Sequence, residues 1–241
     1  MNRQAVNPYL PSWEYIPDGE PHVFNGRVYV YGSHDRFNAP IFCVNDYVCW
    51  SAPVEDLSEW RYEGVIYRKK QDPKNPLGYH LLFAPDVCQG PDGRYYLYYA
   101  FDFLGIMSVA VCDTPAGEYK FLGHIHYADG TLWGRRRGDQ LPFDPGVLAD
   151  DDGRVWLYSG FYNAVPAILT GGHKLRCDGG TVLELEKDMV TIKTEPRVIF
   201  PKKGPGAFQG HEFFEASSIR KEGKTYIFVY SSRHNHELCY A

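Results

Sequence analysis

The chain has 241 residues, of which 16% are aromatic and 23% are charged, and its formal net charge is −5 at pH 7. This length allows one sizeable hydrophobic core, and no stretch of the chain is apolar for long enough to cross a membrane. The negative charge argues against a nucleic-acid partner, because an anionic polymer requires a broad basic surface and the longest basic run is Arg135 to Arg137.

The same short phrase occurs four times along the chain. It consists of an acidic or amide residue, a glycine, a basic residue and an alternating apolar-aromatic run: NGRVYVYGS from Asn25, DGRYYLYYA from Asp92, DGRVWLYSG from Asp152 and EGKTYIFVY from Glu222. Each phrase predicts a tight turn, whose glycine adopts a positive φ, followed by a half-buried strand. The turn glycines stand 67, 60 and 70 residues apart, and this near-even spacing predicts a repeat architecture.

Each repeat has room for four strands. In the first repeat, PHVF and RVYVYGS predict a hairpin, FCVNDYVCWS a third strand and WRYEGVIYR a fourth. The second repeat ends with two strands in GIMSVAVCDTPAGEYKFLG, and the third with strands in AILTGGHKL and TVLELEKDM. No window has a sustained helical period. Four-stranded units repeated around an axis form a β-propeller, so we predict an all-β fold of this class in one domain over residues 1–241.

A carboxylate precedes the hairpin of every repeat. Asp18, Asp86, Asp144 and Glu215 lie 8, 7, 9 and 8 residues ahead of the turn glycines. The first strand of a propeller blade runs closest to the central axis. We therefore expect the four acids to converge on one axial funnel.

Converging acids serve either a hard cation or sugar chemistry. A calcium cage takes about six to eight oxygens, usually from one loop, whereas these acids come from separate repeats. Glycoside hydrolysis needs a protonated carboxyl to donate a proton to the leaving oxygen, and an ionised one to activate water or attack the sugar. A third acid nearby raises the pKa of the proton donor. The pattern favours sugar chemistry, and no cluster in the sequence requires a metal ion.

Several phrases in a fixed order resemble glycoside hydrolase family 43 from about Asn7 to the C-terminus. They are DGEPHVFNGRVYVYGSHD, CWSAPVEDLSEWRYEGVIY, FAPDV, FDPGVLADDDGRVWLYSG and FEASSIRKEGKTYIFVYSS. The resemblance implies a five-bladed β-propeller that removes terminal α-L-arabinofuranosyl or β-D-xylosyl units from plant-polysaccharide oligosaccharides, with inversion. It implies no required cofactor, although a structural calcium ion on the axis is compatible with it.

The resemblance also implies the roles of the acids. The family's general base begins the first inner strand, and an ungapped match places Asp18 there, whereas a match on Glu-Pro gives Glu20. The FDP phrase makes Asp144 the residue that modulates the pKa of the acid. The general acid is Glu215, with Glu212 of HEFFE as its rival. Here Ala-Ser follows Glu215 in place of the family's usual Gly-Pro, a change that we expect to leave the carboxyl untouched.

The resemblance further implies substrate contacts. Phe83 stands where the family's tryptophan usually lies, and Phe143 directly precedes one of the acids, so both rings are predicted to stack on the pentose, with core packing as the alternative. Asp86 is predicted to hold sugar hydroxyls or a neighbouring loop. His34, followed by Asp35, is predicted to reach the rim of the cleft, with a surface-facing strand end as the alternative.

The number of repeats raises a question about completeness. Five blades at this spacing require more than about three hundred residues, whereas the chain contains four phrases and its final ELCYA reads as an interrupted strand. We therefore expect about four blades of a five-bladed propeller, incomplete at the C-terminus. The unpaired edge of such a fragment predicts poor stability and little activity.

Two other functions are compatible with a carboxylate-lined propeller. One is a propeller fructosidase, although its Asn-Asp-Pro-Asn, Arg-Asp-Pro and Glu-Cys phrases are absent here. The other is a non-catalytic carbohydrate-binding propeller, in which the acids only bind sugar hydroxyls.

The sequence does not distinguish an arabinoside substrate from a xyloside substrate, or exo action from endo action, and it does not indicate the oligomeric state. Six scattered cysteines without a CxxC pair, and no signal peptide in the N-terminal segment, predict a cytoplasmic protein with free thiols.

Overall fold

A computed structural model describes residues 8–241 and shows four antiparallel sheets arranged as the blades of a β-propeller. The predicted all-β fold is therefore confirmed, with four blades in this chain. Within the described residues, the one helical element is a 3-10 turn at Lys69–Gln71. That part of the chain has no helix that is both long and apolar enough to cross a membrane.

Each blade is a meander whose strands follow chain order from the axis outward. Blade 1 consists of β1 (Glu20–Phe24), β2 (Arg27–Tyr31), β3 (Tyr47–Pro53) and β4 (Arg61–Tyr67). Blade 2 consists of β5 (Asp86–Gln89), β6 (Tyr95–Ala100), β7 (Met107–Cys112) and β8 (Lys120–His124). Blade 3 consists of β9 (Gly146–Ala149), β10 (Val155–Phe161), β11 (Gly179–Leu185) and β12 (Arg197–Pro201). Blade 4 has three strands, β13 (Phe213–Glu222), β14 (Thr225–Ser232) and β15 (Leu238–Tyr240).

The repeated phrase forms the same hairpin in every blade. Gly26, Gly93, Gly153 and Gly223 all have a positive φ, between 59° and 83°, and each lies between the first two strands of its blade. Glycine adopts this conformation without the steric cost that a Cβ imposes. The predicted turn and the predicted inner hairpin are confirmed in all four repeats.

One strand prediction was wrong. The segment AILTGGHKL, residues 167–175, contains no strand, and the last two strands of blade 3 are β11 and β12. Gly171 and Gly172 both have a positive φ, and the Thr170 hydroxyl donates to the Ala167 carbonyl at 3.0 Å. These features fold the segment into consecutive turns, and they leave the apolar Ile168 86% exposed.

The hydrophobic core lies between the faces of neighbouring blades. One cluster packs blade 1 on blade 2, a second packs blade 2 on blade 3, and a third packs blade 3 on blade 4. Many of the chain's tyrosines are buried in these layers, where their hydroxyl groups find partners. Tyr67 and Tyr99, for example, are joined at 2.6 Å between their hydroxyl oxygens, and Tyr99 donates to Asp72 at 2.7 Å.

A buried carboxylate links the inner strands of three blades. The side chain of Asp86, the first residue of β5, is fully buried. Its Oδ1 lies 2.6 Å from His22 Nε2 of β1 and accepts from the Val87 amide at 2.7 Å. Its Oδ2 accepts from the Val147 amide of β9 at 2.6 Å. Asp86 thus holds neighbouring blades together. Of the two predicted roles of Asp86, the geometry favours the contact with neighbouring structure over the contact with sugar hydroxyls, because both oxygens are engaged and Asp86 does not line the cavity described below.

We predict that Asp86→Asn lowers the free energy of unfolding by about 3 kcal/mol, because it places an amide N–H against a buried backbone N–H and removes the charge that holds His22. Urea unfolding measures the loss. Asp113→Asn, at an exposed position, is the matched control and is expected to change stability little. Equal unfolding free energies for the two variants would contradict the inter-blade role.

Candidate active site

Three of the predicted acids meet in one cavity at the axial end of the blades. Asp18 and Asp144 stand two residues before β1 and β9, and Glu215 lies near the start of β13. All three line a cavity of about 260 Å³. The position of the fourth blade's acid depends on irregular pairing, since the register of β13 with β14 shifts on both sides of Glu215.

The backbone at the acids is strained. Asp18 and Asp144 have φ values of 55° and 46°, and Ala216, next to Glu215, has 61°. A residue with a Cβ in this left-handed region costs roughly 1–3 kcal/mol and persists only where the surrounding structure holds it. Such strain clusters at functional sites, and here it occurs at or beside each of the three converging acids.

Hydrogen bonds and burial give Asp18 and Asp144 different environments. The Ser33 hydroxyl donates to Asp18 Oδ2 at 2.7 Å. Burial raises the pKa of Asp18, the Ser33 hydrogen bond opposes this shift, and the charge of Asp35 adds to it. The Ala216 amide donates to Asp144 Oδ2 at 3.1 Å. Burial, followed by the charges of Glu215 and Asp18, raises the pKa of Asp144 well above its ordinary value.

Glu215 is a carboxyl group that stays partly protonated at neutral pH. Burial, and secondarily the charge of Asp18, raise its pKa to about 7. The imidazole of His236 is its neighbour, with Nδ1 3.9 Å from Oε1. A carboxylic acid of this pKa can give up a proton to a bound molecule at neutral pH. The cavity therefore contains a proton donor and a second carboxyl, Asp18, that receives a hydrogen bond suited to its ionised form.

Phenylalanines line the wall of the cavity beside the acids. The predicted Phe83 and Phe143 are both there, with ring centroids 5.8 Å apart and an edge-to-face angle of 85°. The sequence analysis missed three further rings of the cavity. Phe103 and Phe161 lie 5.4 Å and 4.7 Å from Phe143, and Phe42 lies 5.3 Å from Phe83. Phe161 had a signal in the sequence: the antiparallel register that pairs Tyr158 with Gly146, continued by three residues, places Phe161 opposite Phe143.

The loop after β2 supplies Asp35 and Cys43 to the cavity. The Cys43 amide donates to Asp35 Oδ1 at 2.5 Å, which fixes the two residues together. Burial raises the pKa of the Cys43 thiol to about 12. His34, predicted to reach the rim of the cleft, does not line the cavity. Its ring nitrogens lie 2.9 Å from the Asp46 carbonyl and 3.0 Å from Glu14 Oε1, so it holds the loop in place.

The two rival acids lie outside the cavity. Glu20 accepts a hydrogen bond from the Ser218 hydroxyl at 2.7 Å and forms an ion pair with Arg220 across the axis. Glu212 lies 3.6 Å from Arg233 Nε, and hydrogen bonds from backbone amides lower its pKa. The geometry therefore favours Asp18 over Glu20, and Glu215 over Glu212, for chemistry in the cavity.

One candidate cation site lies on the axis. Glu20, His22 and Asp86 place one ligand atom each within 4.8 Å of one another. The group does not fit calcium. It offers three ligand atoms, one of them a nitrogen, where calcium takes about six to eight oxygens. The carboxylates are also already engaged, Glu20 by the Arg220 guanidinium and Asp86 by two backbone amides.

The fold and the cavity define a β-propeller with a carboxylate-lined axial site. A family model, glycosyl hydrolases family 43, matches residues 17–239. This match covers most of the chain, and the chain belongs to that family. The resemblance seen in the sequence is therefore confirmed.

Individual relatives agree with this assignment. The chain is 61% identical over 245 residues to a xylosidase/arabinosidase of Thermoclostridium stercorarium, a match that covers 100% of the chain and 50% of the relative. It is 31% identical over 261 residues to a xylosidase/arabinosidase of Bacteroides ovatus, covering 97% of the chain and 75% of that protein. The chain thus spans about half the length of the first relative.

A solved structure shows the same fold. It is a family 43 β-xylosidase/α-arabinofuranosidase from a compost microbial metagenome, in complex with xylotriose and in a calcium-free form. The TM-score is 0.70 at 26% sequence identity, and the match covers 99% of this chain and 76% of the other.

We predict that Glu215→Gln makes the stability of the protein less dependent on pH. The folded chain holds the Glu215 proton more tightly than the unfolded chain does, because the pKa is about 7 in place of 4.5. The resulting stability is complete below the unfolded pKa of 4.5 and is lost as the pH rises through about 7. The difference in free energy of unfolding between the variant and the parent should therefore shift by about 3 kcal/mol in favour of the variant when the pH is raised from an acidic value to about pH 8.5.

Urea unfolding of both proteins at the two pH values measures this difference. Glu222→Gln, at an exposed position, serves as the control and should show no such change with pH. A Glu215→Gln difference that stays constant across the range would show that Glu215 has an ordinary pKa.

Proposed function

We propose that the chain is the catalytic propeller of an inverting glycoside hydrolase that removes terminal α-L-arabinofuranosyl or β-D-xylosyl units from oligosaccharides. The observation that carries this proposal is the pairing, in one cavity, of Glu215, whose pKa is about 7, with Asp18. Glycoside hydrolysis requires this combination of a protonated and an ionised carboxyl. The names of the relatives from Thermoclostridium stercorarium and Bacteroides ovatus support the substrate class.

Each acid has a distinct role in the proposed reaction. Glu215 donates its proton to the glycosidic oxygen as the bond to the anomeric carbon breaks. Asp18, held by the Ser33 hydroxyl, accepts a proton from the water that attacks from the opposite face of the sugar. Burial, followed by the charges of Glu215 and Asp18, raises the pKa of Asp144. Asp144 takes the modulating role in this proposal, because it lies beside Glu215 and its hydrogen bond from the Ala216 amide fixes the backbone next to the acid.

The shape and lining of the cavity suit one terminal pentose. Its volume of about 260 Å³ is below the range of roughly 300–1,000 Å³ for drug-sized ligands, which favours a single sugar ring over a long chain. The phenylalanine wall offers an apolar face for stacking. The same rings reduce contact of Glu215 with water, which favours its neutral form.

The proposed chemistry uses three carboxyls and water, so we propose that it requires no cofactor. Free thiols support a reducing, cytoplasmic location: the cysteines at 43, 49, 88 and 177 are buried, and those at 112 and 239 are half-buried. Such a protein would act on oligosaccharides already released from plant polysaccharides such as xylan. Fractionation of the source cells tests the location, and finding the protein in the secreted fraction would contradict it.

We predict that hydrolysis inverts the anomeric configuration. An inverting mechanism places the two carboxyls roughly 6.5–9.5 Å apart, so that a water fits between Asp18 and the sugar. The first product formed from a β-xyloside is then α-xylose. Proton NMR during the first turnovers distinguishes the anomers before mutarotation mixes them, and an initial β-product would require a covalent intermediate instead.

We predict that Glu215→Ala slows the hydrolysis of some substrates much more than that of others. Loss of the proton donor should slow hydrolysis of natural oligosaccharides by roughly 10²–10⁴-fold. A nitrophenyl pentoside should be affected much less, because nitrophenolate leaves without protonation. Steady-state kcat/KM on xylobiose and on nitrophenyl xyloside measures the split.

Glu212→Ala is the matched control for this experiment, since Glu212 lies three residues away and outside the cavity. It should retain both activities. Equal losses on both substrates in the Glu215→Ala variant would remove Glu215 from the role of acid.

A further inference from the structure

We propose that His211, Glu237 and Cys239 form a binding site for a zinc-type divalent metal ion on the outer side of blade 4, separate from the cavity. His211 Nδ1 lies 2.8 Å from Glu237 Oε2 and 4.0 Å from Cys239 Sγ. All three ligand atoms lie within 4.8 Å of one another. In a tetrahedral zinc site, neighbouring ligand atoms are about 3.3–3.6 Å apart. Shifts of about half an ångström bring the His211–Glu237 pair and the His211–Cys239 pair to that spacing.

The backbone holds the three side chains in position. Glu237 and Cys239 are two residues apart in an extended segment, which places them on the same face. Cys239 is fixed on β15 by its register with Tyr230 of β14. The hydroxyl of Tyr230 donates to the His211 carbonyl at 2.7 Å. Tyr230 therefore holds both His211, through this hydrogen bond, and Cys239, through the strand pairing.

A further hydrogen bond orients the carboxylate. The Ser232 hydroxyl lies 3.3 Å from Glu237 Oε2, and the Ser232 amide donates to the Glu237 carbonyl at 2.9 Å.

The donor set selects the class of metal. One thiolate, one imidazole and one carboxylate suit zinc and cobalt, whereas calcium and magnesium prefer oxygen ligands alone. The His211 and Glu237 side chains are 58% and 40% exposed, so an ion has access from solvent. A cavity of about 310 Å³, lined in part by His211 and Cys239, adjoins the group and leaves room for a water in the fourth position.

The position of the site indicates what a bound ion would do. Glu237 closes the turn between β14 and β15, and the preceding residue, His236, lies next to Glu215 in the cavity. Asn235 and His236 both adopt a positive φ, 55° and 53°, so the turn is strained and depends on the contacts that hold it. A metal bound to Glu237 and Cys239 would fix this turn and with it the imidazole beside Glu215. The metal site itself does not depend on the proposed hydrolase function.

Titration of the reduced, tag-free chain with Co²⁺ tests the proposal. The expected result is one equivalent bound, with a thiolate-to-cobalt charge-transfer absorption in the near ultraviolet and the visible bands of tetrahedral coordination. Cys239→Ser should abolish the charge-transfer band, and His211→Gln should weaken binding at least about tenfold. Cys112→Ser, which removes the other half-buried thiol, is the matched control and should retain the full spectrum. Zn²⁺ should displace the cobalt.

The spectrum also identifies a wrong assignment. Cobalt bound without a charge-transfer band, or with one that persists in Cys239→Ser, would place the ion elsewhere, for instance at Glu20, His22 and Asp86, which contain no thiol. No binding at micromolar cobalt would also overturn the proposal. Should Cys239→Ser fail to fold, Glu237→Gln replaces it: Zn²⁺ should raise the melting temperature of the parent, and should raise that of Glu237→Gln by less. Equal shifts would count against the site.

Discussion

The arrangement of the acids depends on one buried carboxylate. Asp86 binds His22 of β1 and the Val147 amide of β9 from its own place at the start of β5. The backbones of Asp18 and Asp144 run directly into β1 and β9. The separation of these two acids is therefore set by hydrogen bonds to a residue that lies between their blades and outside their cavity. A carboxyl group can remain in this dry position because both of its oxygens have hydrogen-bond partners.

The fold was readable from the sequence because its signals are local. A glycine at positive φ followed by alternating apolar residues specifies a hairpin wherever it occurs, and four copies specify the repeat. The count from the turn glycine did not separate Asp86 from the three acids of the cavity, because the count differs by two residues between blades. Asp86 lies 7 residues ahead of its glycine and Asp144 lies 9 ahead. Ala84 is the residue of blade 2 that corresponds to Asp18, and Glu20 is the residue of blade 1 that corresponds to Asp86. The positive φ of Asp18 and Asp144 had no signal in the sequence, since tertiary contacts impose it.

The aromatic residues divide between two tasks according to their hydrogen-bonding needs. Tyrosines pack between blades, where groups such as Asp72 accept from their hydroxyls. The aromatic residues of the cavity wall are instead all phenylalanines, which add apolar surface and no polar group to be satisfied. This choice keeps the surroundings of Glu215 apolar, and burial is the main reason for its raised pKa. The sequence motifs predicted two of these rings, Phe83 and Phe143, whereas Phe161 follows from the strand register that places it opposite Phe143.

The thiol in the cavity has a consequence for chemical resistance. Thiolates, and not thiols, react with peroxides and electrophiles. Because burial raises the pKa of Cys43 to about 12, the thiol form predominates at neutral pH. Oxidants and alkylating reagents that enter beside the acids therefore meet a poorly reactive sulfur atom. A cysteine can occupy this wall without presenting a thiolate to molecules in the cavity.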